Sequence, residues 1–209
     1  MEEMKLTHKK LISVNLAGLL FLVFTILSFP DFSTAAEDLA GFDLQIKEIA
    51  FNCRDEVTKE FEKLLGSNKL NLSQLFDTFY IPIPNTYPQK FHTQYDKFTD
   101  EFVRIIIDKY LDMDKRILFV VAVDVNGYVP THNSRYSKPM TDNADYNMAN
   151  NRTKILYDDR TGLAAAKNTN PFLLQKYNRD TGEEIYDLSV PITIAGKHWG
   201  AIRVGYKQK

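Results

Sequence analysis

The chain has 209 residues, and its 26 Lys and Arg against 27 Asp and Glu leave a formal net charge of −1. That balance excludes the basic footprint of a nucleic-acid binder. The single cysteine, Cys53, excludes an internal disulfide and the paired thiols of a CxxCH haem attachment.

Lys5, Lys9 and Lys10 precede an apolar run from Leu11 to Phe29, and Ser33-Thr34-Ala35-Ala36 follows. A positive start, an apolar middle and small residues before a cut after Ala36 are the plan of an export signal over residues 1–36. The run of about 19 residues is also just long enough to span a bilayer as an uncleaved anchor. Both readings place residues 37–209 outside the cytoplasm, periplasmic after cleavage or held at the inner membrane by the anchor.

Leu39, Phe42, Ile46, Ile49, Cys53, Val57, Phe61 and Leu64 recur in steps of three and four. They predict a long amphipathic helix within the segment 37–70, stopped by Gly66 and Asn68. Such a stripe either packs on the domain's own core or forms the seam of a homodimer. Cys53 lies on it as a small buried hydrophobe. Asn71 caps a short helix, and Pro82, Pro84 and Pro88 predict an extended segment wrapping the domain. A second amphipathic helix is expected over residues 93–111, with Phe98, Phe102, Ile105 and Ile106 on its buried face.

Residues 71–209 form the globular domain. The continuous apolar run Ile117–Asp124 predicts a central strand. Asn126-Gly127 is a strong hairpin signal, with Tyr128–His132 as the return strand. Asn133 to Asn151 is polar and turn-rich. Residues 151–160 read as a short helix ended by Thr161-Gly162. Strands over 172–178, 184–194 and 198–207 complete a five-stranded antiparallel sheet with flanking helices, an α+β fold; Pro191 marks a bulge in one of them.

Candidate binding residues follow from side-chain chemistry. His132 ends the motif Pro130-Thr131-His132-Asn133 and donates to an anion, ligates a metal or closes its loop. Arg152 and Arg160, placed on one short helix, and Arg203 offer planar forks suited to a carboxylate; pairing with Asp159 is the structural alternative. Tyr128 and Tyr136 are candidates to line the same pocket. Alternation puts Trp199 and Arg203 on one face of the last strand and His198 on the other. There is no phosphate loop, no GxSxG elbow and no HExxH pair, so no catalytic residue is expected and the chain reads as a binding module, not an enzyme. The four histidines lack any close ligand spacing, so no metal site is expected.

The pieces LFDTFYIPIPNTYP, FVVAVDVNGYVPTHN, NRTKILYDDRTGLAAAKNTNPFLLQKYNRDTGE and DLSVPITIAGKHWGAIRVGY resemble the PAS/Cache-like sensory domain of a group of bacterial methyl-accepting chemotaxis proteins, over residues 72–206. The resemblance implies a five-stranded antiparallel sheet with a ligand or cofactor pocket between sheet and helices, often in a dimer. It implies a small-molecule ligand and a membrane signalling partner. Some relatives carry covalent c-type haem; without CxxCH that cofactor is not carried over, and non-covalent haem on His132 or His198 is the alternative. No counterpart of the receptors' methylated signalling hairpin occurs in the sequence, so the expectation is a stand-alone sensor that relays to a separate partner.

Overall fold

The computed structural model describes Leu39 and residues 41–178 and 182–209. The expected export segment lies outside the described residues, and among those described no helix is long and apolar enough to cross a membrane.

Helix α1, Phe42–Gly66, buries Phe42, Ile46, Ala50, Cys53, Val57, Phe61 and Leu64. These side chains are at most 8% exposed within this one chain. The stripe is therefore a core face, and it does not supply the alternative dimer seam. Burial pushes the Cys53 thiol well above its ordinary range. Asn68, at φ +55, closes the helix in the left-handed region. Asn71 then caps α2, Leu72–Leu75, through a full capping box with Gln74. The proline-rich stretch is a hairpin and not an extended wrap: β1 (Ile81–Ile83) pairs antiparallel with β2 (Lys90–His92).

The second amphipathic helix begins as α3, Asp96–Phe98, passes through a π turn at Thr99–Val103, and continues as α4, Arg104–Leu111. The extra residue of a π turn rotates the following face. Tyr95, Thr99, Val103, Ile107, Tyr110 and Leu111 are buried, and Ile105, expected inside, is 72% exposed.

Strand β3, Ile117–Asp124, has the expected bounds, and the chain turns at Asn126-Gly127. The return strand does not join β3 in the sheet. The Asp124 Oδ1 atom accepts the Asn126 and Tyr128 amides at 2.9 and 3.0 Å, which turns the chain away. The Asn133 carboxamide covers the β3 edge by accepting the Val120 amide at 2.9 Å. So β4, Tyr128–Val129, pairs instead with β5, Ile155–Leu156. The main sheet has four antiparallel strands in the order β3-β8-β7-β6, where β6 is Leu173–Asn178, β7 Glu184–Ile194 and β8 Lys197–Tyr206. Two helices lie between the sheets' strands in sequence, α5 (Ala144–Asn150) and α6 (Arg160–Ala166). The helix expected over 151–160 is absent: Asp159 is the N-cap of α6, accepting the Thr161 and Gly162 amides, so Thr161-Gly162 opens a helix where an end was expected.

One sheet face meets α1 and α4 through Val120, Ala122, Leu188, Val190, Ile192, Ile202, Val204 and Tyr206. The other carries Phe119, Val121, Val123, Ile185 and Ala201. Trp199 belongs to the first face and Arg203 to the second, against the expectation of one shared face. Ile192 pairs with Gly200 and Thr193 with His198, leaving Trp199 as the unpaired residue of a bulge that shifts the alternation by one.

Candidate functional site

The second sheet face stops short of close packing. Over it, the irregular chain from β4 to α6 encloses a cavity of about 360 Å³ lined by Phe119, Val121, Val129, His132, Arg152, Tyr157, Asp159, Thr161, Tyr177, Asn178 and Arg203.

The floor is built by strand alternation. Phe119 and Val121 project from β3, Arg203 from β8 and Tyr177 from β6. Gly205 keeps the Phe119 ring down: a Cβ there would lie 2.1 Å from a ring carbon. Beneath the floor, Asp187 on β7 is fully buried and Arg203 is 6% exposed. Asp187 Oδ2 accepts from both Nε (3.1 Å) and Nη2 of Arg203 and from the Tyr177 hydroxyl at 3.2 Å. Burial opposes the Arg203 charge, but the Asp187 carboxylate and Tyr177 more than offset it, so the guanidinium is held above its ordinary value. Asp187 Oδ1 is buried with no hydrogen-bond partner among the described residues. Arg203 is thus committed to the floor.

The walls come from loops fixed by backbone contacts. The Tyr157 carbonyl is wedged between Gly127 and Gly162; a Cβ at either would stand 2.3 Å from that oxygen. The Tyr157 amide donates to the Gly127 carbonyl at 3.0 Å. Only glycine admits this approach from both sides, and it presents the Tyr157 and Asp159 side of the cavity. On the opposite wall, the Asn133 amide donates to His132 Nδ1 at 2.8 Å. That acceptor role places the proton of the neutral ring on Nε2. The His132 ring meets Tyr136 and Phe119 edge-on at centroid distances of 4.9 and 6.2 Å. Arg152 enters from the strap between α5 and β5.

Of the residues singled out from sequence, His132, Arg152 and Arg203 are brought together. Tyr128 and Arg160 do not line the cavity. Tyr128 is fully buried on the α1 side, with its hydroxyl donating to the Phe91 carbonyl at 2.7 Å and its ring against Tyr80 and Tyr95. Arg160 is exposed as the first residue of α6. Asp159 caps α6 and Arg203 pairs with Asp187, so the pairing suggested for Asp159 is taken by other partners. Sequence reading missed Phe119, Val121, Tyr157, Tyr177 and Asp187; the alternation of β3 and β7 held the signal for three of them.

Axial ligation of a haem through Nε2 would cost either histidine an existing hydrogen bond. His132 uses Nδ1 as an acceptor, and His198 contacts the Ala166 carbonyl through Nε2 at 2.7 Å, which requires a proton there.

No family model matches the chain, and no curated protein does. Among solved structures, the chain is similar to an extracellular ligand binding receptor from Desulfohalobium retbaense DSM5692, at 13% identity and a TM-score of 0.37. The likeness covers 81% of this chain and 26% of that receptor, so this chain spans about a quarter of its length.

Proposed function

We propose that this chain is an extracytoplasmic sensory module of the PAS/Cache-like kind carried by bacterial chemoreceptors, binding a small carboxylate-bearing molecule and relaying its presence to a membrane signalling partner. It binds and does not catalyse. The observation that carries this reading is the cavity: about 360 Å³, apolar on several sides, with a few converging polar groups. Small-molecule sites have this make-up and start at roughly 300 Å³. Arg152 supplies the planar fork for a carboxylate, with His132 Nε2–H and Thr161 as further donors. Arg203 forms part of the floor with its charge compensated by Asp187.

A thermal-shift screen of the purified protein against organic acids, amino acids, purines and haem tests it. A ligand at 100 times its Kd adds about 2.7 kcal/mol, which is roughly 5–10 °C for a domain of this size. A carboxylate is expected to score, and Arg152→Ala to lower its affinity at least tenfold. A flat screen, or a hit indifferent to Arg152→Ala, overturns the reading. A Soret band on haem addition would favour the haem sensor instead.

A further inference from the structure

Outside the residues that line the cavity, a lysine is buried. Lys90 opens β2, is 4% exposed, and its ammonium donates to the carbonyl oxygens of Asn151 at 3.0 Å and Thr153 at 2.7 Å. Those carbonyls flank Arg152, whose side chain lines the cavity.

The strap they belong to is tied down along its length. The Arg152 amide donates to the Tyr136 carbonyl and the Lys154 amide to the Val129 carbonyl, both at 2.7 Å. Asn151 Nδ2 donates to the Lys138 carbonyl at 2.6 Å, and the Phe91 amide, next to Lys90, donates to the Lys154 carbonyl at 2.9 Å. Lys154 itself sits at φ +59, a left-handed conformation that a non-glycine residue holds only when its surroundings fix it. Its ammonium pairs with Asp96 of α3 at 3.1 Å and Asp100 of the π turn at 2.8 Å, and His92 of β2 shares Asp96 at 2.6 Å.

A methionine at position 90 would fill similar space without burying a charge. What it would lack is a nitrogen with several N–H donors converging on two carbonyls two residues apart. Burial and the neighbouring Lys154 bring the Lys90 ammonium down to about 8, and both its charged and neutral forms keep the two donors those carbonyls need.

We propose that Lys90 is a positioning residue for the cavity: by bridging the Asn151 and Thr153 carbonyls, it fixes the strap that presents Arg152 to the ligand. This rests on the carboxylate-site reading for what Arg152 does, but not for how the strap is held.

The test needs no ligand, so its failure is separate from failure of that reading. Hydrogen exchange and the Arg152 Nε–H resonance are followed by NMR on the full chain, the resonance being identified by its loss in Arg152→Lys. In Lys90→Met, exchange of the Arg152 and Lys154 amides is expected to accelerate at least tenfold, with the α1 amides of Cys53 and Val57 within twofold of wild type. The Nε–H resonance is expected to shift or broaden. Lys90→Arg, which keeps the charge and two donors, is expected to return both signals towards wild type. Strap exchange unchanged in Lys90→Met, or acceleration of strap and α1 amides alike, overturns the proposal. If Lys90→Met does not fold, Lys90→Arg decides: a wild-type Nε–H resonance with protected strap amides supports it, and a strap that opens there overturns it.

Discussion

The two faces of the sheet are drawn from alternate residues of the same strands, yet they are built to different ends. On the α1 side, Ile202, Val204 and Tyr206 alternate with Leu188, Val190 and Ile192 against a helix, and the packing closes completely. Trp199 touches Phe61 and Tyr95 at centroid distances of 5.0 and 5.8 Å and donates to the Leu75 carbonyl at 2.9 Å. The residues between them, Asp187, Ser189 and Arg203, are equally buried but polar, and that face is covered by the short helix α6 and irregular backbone. A helix brings a continuous apolar stripe and can seal a sheet. A loop brings its own amides and carbonyls, which must be satisfied, and leaves a gap. The larger closed core lies on one parity of the strands and the candidate site on the other.

That division can be broken from either side. Trp199→Ala removes the largest side chain of the closed face and is expected to lower stability by about 5 kcal/mol, the upper end for such truncations. Urea unfolding measures it, and the carboxylate affinity of the fraction still folded should not change. Asp187→Ala strands the Arg203 charge beneath the cavity and is expected to cost about 3 kcal/mol. Joint replacement, Asp187→Leu with Arg203→Met, should recover most of that stability and none of the cavity's polarity. If the single variant is as stable as wild type, the floor is not the buried pair described here. Gly205→Ala forces the Phe119 ring off the floor and into the cavity; about 1–3 kcal/mol is expected in unfolding, together with weaker ligand binding.

The smallest effect concerns Lys90. Its folded-state proton is released near 8, against an ordinary value of 10.5. Between those values the unfolded chain holds the proton and the folded chain does not, so stability rises with pH. The wild-type advantage over Lys90→Met is expected to grow by on the order of 1 kcal/mol per pH unit between pH 8 and 9.5, read from paired denaturation curves. A difference that stays flat, or falls, would show that the ammonium is not buried as described.

Periodicity made much of the closed face legible. The α1 stripe and the bounds of β3 and β7 follow from side-chain spacing over long apolar segments, and the Asn71 cap from the capping chemistry of asparagine. What escaped were places where one side chain overrules a pattern. The Asp124 carboxylate, pushed up by burial and pulled back by hydrogen bonds from Tyr80 and Tyr128, diverts the hairpin that Asn126-Gly127 announces. One inserted residue in the π turn puts Ile105 into solvent. The cavity was the least legible part. Its walls come from residues 128–161, where short elements carry no period, and the arginines there read as one cluster although only Arg152 faces inward.

The bulge at Trp199 has a bearing on how the sheet assembles. The two-residue turn at Ala195-Gly196, at φ +49 and +73, is the geometry that zips a hairpin from its tip. Zipped without the bulge, β7 and β8 would pair one residue out of step beyond Trp199, and Arg203 would face the apolar side with Ile202, Val204 and Tyr206 outward. Local pairing alone therefore does not choose between the two registers. The choice falls to Phe61, Tyr95 and Leu75, which receive Trp199 from parts of the chain more than a hundred residues earlier. The register of the last strand is thus selected by side chains and backbone from α1, α2 and the residue before α3, and not by its own turn.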